Sequence, residues 1–262
     1  MPFNSILKML TSSEIKQIKL LKDKTSRHEQ QKFVVEGEKM VAELSYSAFN
    51  IIAVYATDEW IEQANNAILV KLKEKLIKVK AQELARISSL KQPNGVLALV
   101  AMPQQPETKI QFNDIILAFD DISDPGNLGS IIRIADWFGI KQIVCSATSV
   151  DLYNSKTIQA TMGSIFRVTV YYTDIEKWIS ANKQKATFYS AMLHGKSVYS
   201  VAKKKPAVLV FGNESRGVSQ SLQQLIDQPI SIPKFPDDIS SPVESLNIAM
   251  SAAIFCSEWR RA

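Results

Sequence analysis

Short apolar runs alternate along the chain with segments in which apolar residues recur every three or four positions. In the second half, runs such as residues 114–120 and 207–212 are almost continuously apolar, which is typical of strands buried on both faces. Segments such as 127–139 have the apolar spacing of an amphipathic helix. Strands that alternate with helices predict a parallel sheet covered on both faces. The predicted strands are 114–120, 141–147, 167–172, 187–192, 207–212 and 229–233, and the predicted helices are 127–139, 154–165, 174–183, 219–227 and 245–261.

The first half shows the same alternation over a shorter length and predicts a small α/β domain. Its pattern indicates helices at 14–24 and 38–48 and strands at 32–37, 50–57 and 95–102, while 60–76 mixes helical and undefined signals. The periodic pattern stops between Val100 and Phe112, where prolines and glutamines interrupt it. We therefore predict a first domain over 1–103, a linker over 104–111 and a second domain over 112–262.

Composition narrows the class of protein. Hydrophobic residues make up 46% and charged residues 22% of 262 residues, and the net charge is +5, which permits a nucleic-acid partner without requiring one. Before Phe33 the basic residues outnumber the acidic ones, so this segment is either a solvated helix face or an RNA contact surface. The basic residues concerned are Lys8, Lys16, Lys19, Lys22, Lys24, Arg27 and Lys32.

Several function classes are disfavoured. The two cysteines, Cys145 and Cys256, have apolar neighbours, which indicates buried thiols and fits a cytoplasmic location. The beginning of the chain lacks the apolar run of a signal peptide, and no segment is long and apolar enough to predict a membrane span. With His28 and His194 as the only histidines and no CxxC or HExxH, a metal enzyme is not expected.

Three loops that follow predicted strands carry the candidate chemistry, because ligands bind at the carboxyl ends of strands in such sheets. The first, "DPGNLGSIIR" at 124–133, lacks the GxGxxG of dinucleotide-binding turns and the GK[ST] of phosphate-binding loops. Asn127 is placed to cap the following helix, and Arg133 is either a surface residue or a ligand for an anion. Because the GxGxxG of dinucleotide-binding turns is missing, the hypothesis of a nicotinamide dehydrogenase is rejected.

The second and third loops are also rich in polar residues. "LVFGNESRGVS" at 209–219 runs from a buried strand into Gly212, and a glycine there is expected to let a ligand approach the backbone closely. The third begins at Ile232 and leads through a long polar loop to a helix that we expect to begin near Ser245, with Ser245 and Asn247 as candidate caps.

Together the three loops resemble the motifs of the SpoU (TrmH-type) family of RNA ribose 2′-O-methyltransferases, within the SPOUT class. Asn-x-Gly-x-x-x-Arg is followed by an apolar strand into Gly-x-Glu-x-x-Gly, then by Ile-Pro, a loop and Ser-Leu-Asn opening a small-residue helix. The matching residues are Asn127, Gly129, Arg133, Gly212, Glu214, Gly217, Ile232, Pro233, Ser245, Leu246 and Asn247. The likeness covers 110–262, and residues 32–44 are similar to the family's ribosomal-protein-like substrate-binding domain. The loop 234–244 is longer than is usual and lacks the glycine often found there.

The resemblance implies a knotted (trefoil) parallel-sheet α/β domain, S-adenosylmethionine as cofactor, no metal, a homodimer and an RNA substrate, ribosomal more readily than transfer RNA. It implies catalytic roles for Asn127, Arg133, Glu214, Ser245 and Asn247. The cofactor would be held by backbone groups at Gly212, Ile232 and Leu246.

Two alternatives stay open at this point. A base-methylating enzyme of the same knotted class fits the fold but not the Ser-Leu-Asn helix start. A non-catalytic RNA-binding module would be expected to lose Asn127, Arg133, Glu214 or Asn247, and all four are present.

Overall fold

The computed structural model describes residues 7–103, 110–235 and 245–261, and the chain divides into two compact units. The first unit comprises residues 1–106 and 153–166, and the second comprises 107–152 and 167–262. The predicted linker at 104–111 lies mostly outside the described residues, as does the part of the third loop from 236 to 244.

The first unit is built on a four-stranded sheet with the order β1-β4-β2-β3, in which β4 is antiparallel to both neighbours and β2 and β3 are parallel. Alternate residues along its strands face a core formed with α1 and α6, which includes Ile15, Ile18, Tyr55 and Leu99. The elements are α1 (Ser12–Leu20), α2 (Lys24–Gln30), β1 (Lys32–Glu36), α3 (Glu38–Ser45), β2 (Ile51–Ala56), α4 (Asp58–Gln63), α5 (Asn66–Leu72), β3 (Leu76–Lys78), α6 (Ala81–Ile87), β4 (Val96–Ala101) and α8 (Ser155–Thr161).

The structure differs from the predicted domain division at residues 153–166, which pack within the first unit. The ring of Tyr153 lies 4.5 Å from that of Phe33, and Phe166 lies 5.3 Å from Phe49. The Gln159 side-chain amide donates a 2.8 Å hydrogen bond to the backbone oxygen of Glu36. Aromatic side chains on β1 and after α3 thus draw in a helix that the linear pattern assigns to the second domain.

The second unit contains a six-stranded sheet with the order β10-β8-β9-β5-β6-β7, and every neighbouring pair is parallel. This confirms the predicted parallel α/β fold. One helix predicted from Ser245 begins later, at Ile248, and β8 is longer than expected. The elements are β5 (Ile115–Phe119), α7 (Pro125–Trp137), β6 (Gln142–Ser146), β7 (Thr169–Thr173), α9 (Ile175–Asn182), β8 (Thr187–Ser197), β9 (Ala207–Phe211), α10 (Gln220–Gln223), β10 (Gln228–Ser231) and α11 (Ile248–Arg261).

Helices cover both faces of this sheet. On one face Ile179 of α9 and Leu222 of α10 belong to the same core cluster as Val208 and Val210 of β9. On the other face α11 packs against α7 and β9, and the ring of Phe255 lies 5.4 Å from that of Phe211. Strands β5 and β9 are buried along their whole length, which explains why their sequences are continuous apolar runs.

Both cysteines are free and buried, as the sequence predicts. Burial raises the pKa of the Cys256 thiol to about 12 and raises that of Cys145 as well. Both thiols are therefore inert packing groups. Among the described helices, none has the length and apolar character needed to cross a membrane.

The chain reverses tightly after β9, and two glycines make this possible. A Cβ on Gly212 would lie 2.0 Å from the carbonyl carbon of Gly217 and 2.1 Å from the nitrogen of Val218. The close approach that the sequence suggests at Gly212 is thus made by the chain's own backbone. Gly217 has a φ of +68°, but a Cβ there would meet no heavy atom within 4 Å.

We expect Gly212→Ala to lower the free energy of unfolding by about 3 kcal/mol, because the added methyl group must displace backbone rather than a flexible side chain. Urea unfolding followed by tryptophan fluorescence would measure this change. The matched control is Gly217→Asn, which should cost about 1 kcal/mol, since asparagine tolerates positive φ and the space is open. Equal losses in the two variants would contradict the packing argument.

Candidate functional site

The candidate site lies where β5 and β9 end side by side. β5 leads through α7 to β6 on one side of the sheet, whereas β9 leads through α10 to β10 on the other. Loops that leave neighbouring parallel strands in opposite directions open a crevice at the carboxyl edge, which is the usual ligand site of such sheets. The backbone nitrogen of Asp120 donates a 2.8 Å hydrogen bond to the backbone oxygen of Phe211. This hydrogen bond holds the two loops together where they begin.

Glu214 is the acceptor on which the first two loops converge. One carboxylate oxygen accepts hydrogen bonds from the hydroxyl and backbone nitrogen of Ser123, at 3.1 and 3.4 Å. The other accepts from the Asn127 side-chain amide at 3.1 Å and from the backbone nitrogen of Asp124 at 3.4 Å. Burial acts to raise the pKa of Glu214, but donation from Asn127, from Ser123 and from its own backbone outweighs burial and lowers the pKa.

Asn247 joins the third loop to this group. Its side-chain nitrogen donates a 2.9 Å hydrogen bond to the side-chain oxygen of Asn127. Its own side-chain oxygen accepts from the backbone nitrogens of Ala249 and Met250, at 2.9 and 3.4 Å, and so caps α11 as predicted. The structure therefore brings Asn127, Glu214 and Asn247 together in one hydrogen-bonded chain, which we call the Asn–Glu–Asn chain.

One detail of the first loop differs from the prediction. The residue that caps α7 is Asp124, whose carboxylate accepts a 2.7 Å hydrogen bond from the backbone of Asn127, and Pro125 occupies the first helical position. The dipeptide Asp-Pro is itself a signal for a helix start, so this cap could have been recognised. Asn127 does not cap the helix, which leaves its side chain available for Glu214 and Asn247. Ser123, a further contributor, has no signal in the sequence beyond its position beside the motif.

Arg133 and Ser245 are not brought into the Asn–Glu–Asn chain. Arg133 is exposed on α7, and no hydrogen bond or ion pair to it is found within the described ranges. Six residues along an α-helix correspond to about 9 Å of rise and about 240° of rotation, so Arg133 and Asn127 point in different directions. Ser245 lies in the exposed segment before α11 rather than at its first turn, so the prediction that it begins the helix is wrong.

The three positions expected to hold a cofactor lie at this same carboxyl edge. Gly212 follows β9, Ile232 follows β10 in the same parallel sheet, and Leu246 adjoins Asn247. Within the described part of the chain, no hydrogen bond to the backbone of Ile232 or Leu246 is found. Leu246 also leaves 46% of its surface exposed. Unpaired peptide groups beside apolar side chains fit the edge and face of an adenine ring, so these residues fit the predicted cofactor. No cluster of metal-ligating side chains occurs among the described residues.

Glu214→Gln should destabilise the second unit at pH 7, because an amide nitrogen would then face donors from Ser123 or Asp124. The folded-state pKa of Glu214 is lowered, so its stabilising effect is complete above the ordinary value of 4.5 and is lost as pH falls through the lower folded-state value. The difference in unfolding midpoint between wild type and variant should therefore shrink below pH 4.5. Urea unfolding at a series of pH values measures it. Glu59→Gln, at an exposed position on α4, is the control, and a difference that is constant with pH would refute the assignment.

Comparison with known proteins identifies the family of the chain. The family model described as "SpoU rRNA Methylase family" matches residues 114–257, and a model described as "MRM3-like substrate binding domain" matches residues 12–98. A structure from Porphyromonas gingivalis assigned to the TrmH family of RNA methyltransferases is 31% identical, with a TM-score of 0.84 over 97% of this chain and 99% of that chain.

Two further relatives cover nearly the whole chain. An AdoMet-bound rRNA methyltransferase from Sinorhizobium meliloti is 26% identical, with a TM-score of 0.84 over 98% of this chain and 97% of its own. A 23S rRNA guanosine 2′-O-methyltransferase from Bacillus subtilis is 25% identical over 93% of this chain and 94% of its own length. The three loop motifs, the parallel sheet and the Asn–Glu–Asn chain all lie within the segment matched by the first family model. The chain belongs to the SpoU rRNA Methylase family.

Proposed function

We propose that this protein transfers a methyl group from S-adenosylmethionine to a ribose 2′-hydroxyl of ribosomal RNA. The prediction of an S-adenosylmethionine-dependent RNA methyltransferase is confirmed by the family match. The choice of ribosomal over transfer RNA is our proposal, and the match of residues 12–98 to a substrate-binding domain and the names of the relatives support it. The observation that carries the proposal is the Asn–Glu–Asn chain, which unites the three motifs at the carboxyl edge.

In the proposed site, backbone groups at Gly212, Ile232 and Leu246 hold the cofactor. When bound, S-adenosylmethionine supplies a methyl group with its own leaving group, so the reaction requires no metal. The residues of the chain then have to bind the ribose, aim its hydroxyl and stabilise the charge that develops on the oxygen.

The side chains of the Asn–Glu–Asn chain suit positioning. Asn127 uses one amide hydrogen for Glu214 and one lone pair for Asn247, so a second hydrogen and a second lone pair remain for the ribose. Asn247 likewise has one side-chain hydrogen left. Because both amides are oriented by their partners, they offer hydrogen bonds in fixed directions and lose little freedom when the substrate binds. We propose that Ser245, two residues before Asn247, contacts the ribose from the third loop.

Arg133 is the proposed electrostatic stabiliser. A guanidinium carries a permanent positive charge and only donors, which suits it to bind an anion and not to remove a proton. Its exposed position on α7, directed away from Asn127, means that it must approach the reacting sugar from another side.

We propose that the protein is a homodimer, in which Arg133 can approach a reacting sugar from a side other than that of Asn127. Trp137 lies one turn after Arg133 on the same face of α7 and is 85% exposed, and Met250 on the neighbouring α11 is 62% exposed. Large exposed apolar side chains on packed helices are typical of interaction surfaces. Association through this face would place Arg133 at the interface, close to the sites of the dimer.

The first unit is proposed to bind RNA through α1 and α2. Lys16, Lys19, Lys22 and Lys24 are exposed there and can neutralise phosphates. Arg27 does not belong to this surface, because it is buried and donates to the backbone oxygens of Leu21 and Lys22 at 2.8 Å each. We further propose a trefoil knot in the second unit and a cytoplasmic location. The match of residues 114–257 to the SpoU family model supports the knot, and the two free thiols support the location.

The experiment that tests the function is transfer of tritiated methyl groups from S-adenosylmethionine to unmodified ribosomal RNA. We expect label in alkali-resistant dinucleotides, because a 2′-O-methyl group blocks cleavage at that linkage. Asn127→Ala should lower the rate by about a hundredfold, while calorimetry still detects cofactor binding. Lys141→Ala, on the exposed segment after α7, is the control. Label in the mononucleotides that alkali releases would favour the base-methylating alternative. Absence of cofactor binding would favour the non-catalytic RNA-binding module.

The dimer is tested by Trp137→Glu, which places a charge in the proposed interface. We expect light scattering to report a dimer for the wild type and a monomer for this variant, with methyl transfer reduced in parallel. Tyr199→Glu introduces the same charge at an exposed aromatic position outside α7 and α11 and should leave the dimer intact. A wild-type monomer that is fully active would overturn the proposal.

A further inference from the structure

An exposed arginine at a position that the three motifs leave unspecified stands beside the Asn–Glu–Asn chain. Arg216 follows Glu214 by two residues, on the loop after β9, and 75% of its side chain is exposed. Its guanidinium forms an ion pair with Asp121, on the loop after β5. Arg216 thus stands across the same pair of loops that Glu214 and Asn127 connect.

The backbone that carries Arg216 is held in place by hydrogen bonds. Asn213 and Gly217 exchange two backbone hydrogen bonds of 2.9 Å, which close the loop at its base. The side-chain oxygen of Asn213 accepts from the backbone nitrogens of Ser215 and Arg216, at 3.0 and 3.2 Å. The position from which the arginine side chain extends is therefore fixed before any ligand arrives.

Asp121, the partner of Arg216, is fixed as well. It lies in the left-handed region, with a φ of +61°, and its backbone nitrogen donates a 2.8 Å hydrogen bond to the hydroxyl of Ser146. The side-chain amide of Asn213 donates a 2.8 Å hydrogen bond to the backbone oxygen of Asp121. The carboxylate therefore presents a stationary acceptor that aligns the guanidinium.

The ion pair between Arg216 and Asp121 contributes little to the stability of the fold. Ion pairs between exposed side chains contribute about 0 to 1 kcal/mol, and the loops are already joined by the hydrogen bonds of Asn213, Glu214 and Asp120. A guanidinium has five donors, and a carboxylate on one side leaves the others directed to solvent. An aligned, exposed guanidinium within two residues of the ribose-positioning group matches the geometry of phosphate recognition.

We propose that Arg216 is an RNA-binding residue that contacts a backbone phosphate next to the target ribose, with Asp121 orienting its guanidinium. This inference rests on the proposed function, since it assumes that the ribose lies beside Glu214 and Asn127. It assigns a ligand to a residue that the family motifs leave unspecified, because the motif Gly-x-Glu-x-x-Gly places no requirement on position 216.

The decisive comparison is between Arg216→Gln and Asp121→Asn. Both variants break the same ion pair, but only the first removes the cation that would meet a phosphate. Asparagine also tolerates the left-handed backbone at position 121, so the second variant keeps the fold of the loop. Binding to an in vitro transcribed ribosomal RNA, and kcat and KM for methyl transfer to that RNA, are measured for each variant alongside the affinity for S-adenosylmethionine.

We expect Arg216→Gln to raise the KM for RNA by about tenfold or more, as for loss of a hydrogen bond to a charged group, while cofactor affinity is unchanged. The salt dependence should become shallower. The magnitude of the negative slope of log affinity against log salt should decrease by about 0.7 to 0.9, the contribution of one phosphate contact. Arg216→Lys should keep the salt slope and recover part of the affinity. Asp121→Asn should raise the KM by a smaller factor than Arg216→Gln does, because it removes the acceptor that orients the guanidinium but keeps the cation that meets the phosphate, and it should leave the salt slope unchanged.

The inference fails if the two variants show equal effects, because the pair would then serve only to hold the loops. It also fails if Arg216→Gln binds RNA as the wild type does. These outcomes differ from failure of the proposed function, in which the wild type itself would transfer no methyl group to RNA.

Discussion

The hydrogen bonds from Asn247 to Asn127 and from Asn127 to Glu214 are the constraint on which the site depends. They join residues 120 and 87 positions apart in the chain, so the site exists only when the second unit is fully folded. Because Asn247 also caps α11, the position of that helix and the orientation of the Asn127 amide are determined together. A displacement of α11 would therefore change the direction in which Asn127 offers its remaining donor.

The same hydrogen bonds restrict the chemistry that Glu214 can perform. A carboxylate whose pKa is lowered by donors from Asn127 and Ser123 stays ionised at neutral pH and is a weaker base than an ordinary glutamate. Both of its oxygens already accept hydrogen bonds from the protein. Glu214 therefore suits the role of an organiser of donors, and in the proposed function the acceleration comes from alignment of the hydroxyl and from stabilisation of its developing charge. This agrees with a group of fixed amides around an ionised carboxylate rather than a tuned acid and base.

The sequence predicts the central strands β5 and β9 well because they are buried on both faces, and burial leaves a continuous apolar run that is independent of distant contacts. It predicts less where tertiary contacts decide. Residues 153–166 have a normal helical pattern, but their assignment to the first unit depends on the rings of Phe33 and Phe49, which the local pattern does not reveal. Residues 60–76 give mixed signals because they hold the end of α4, all of α5, a 3-10 turn at Lys73–Lys75 and the first residue of β3. Helix α11 begins after Asn247 because that side chain caps Ala249 and Met250, whereas periodicity alone extends the helix to Ser245.

The site residues show the same division. The motifs identified Asn127, Glu214 and Asn247, since each type of side chain is demanded by its hydrogen bonds. They did not reveal that Gly212 makes room for the chain's own backbone, because a glycine is also expected where a ligand approaches. Nor did they reveal the pair of Asp121 and Arg216, which joins positions 95 residues apart.

The charge at the carboxyl edge bears on how the proposed RNA binding would be distributed over the protein. Asp120, Asp121, Asp124 and Glu214 all lie on the two loops, and the carboxylates of Asp120 and Asp124 accept hydrogen bonds from the backbone. A fixed acidic edge attracts a sulfonium cation but repels phosphates, so a polyanion gains little by approaching it unaided. Cations beside the edge, such as Arg216, and lysines on α1 and α2 would have to offset that repulsion. In the proposed function, the affinity for a cationic cofactor and the affinity for RNA would then depend on different residues, which would allow each to be adjusted without loss of the other.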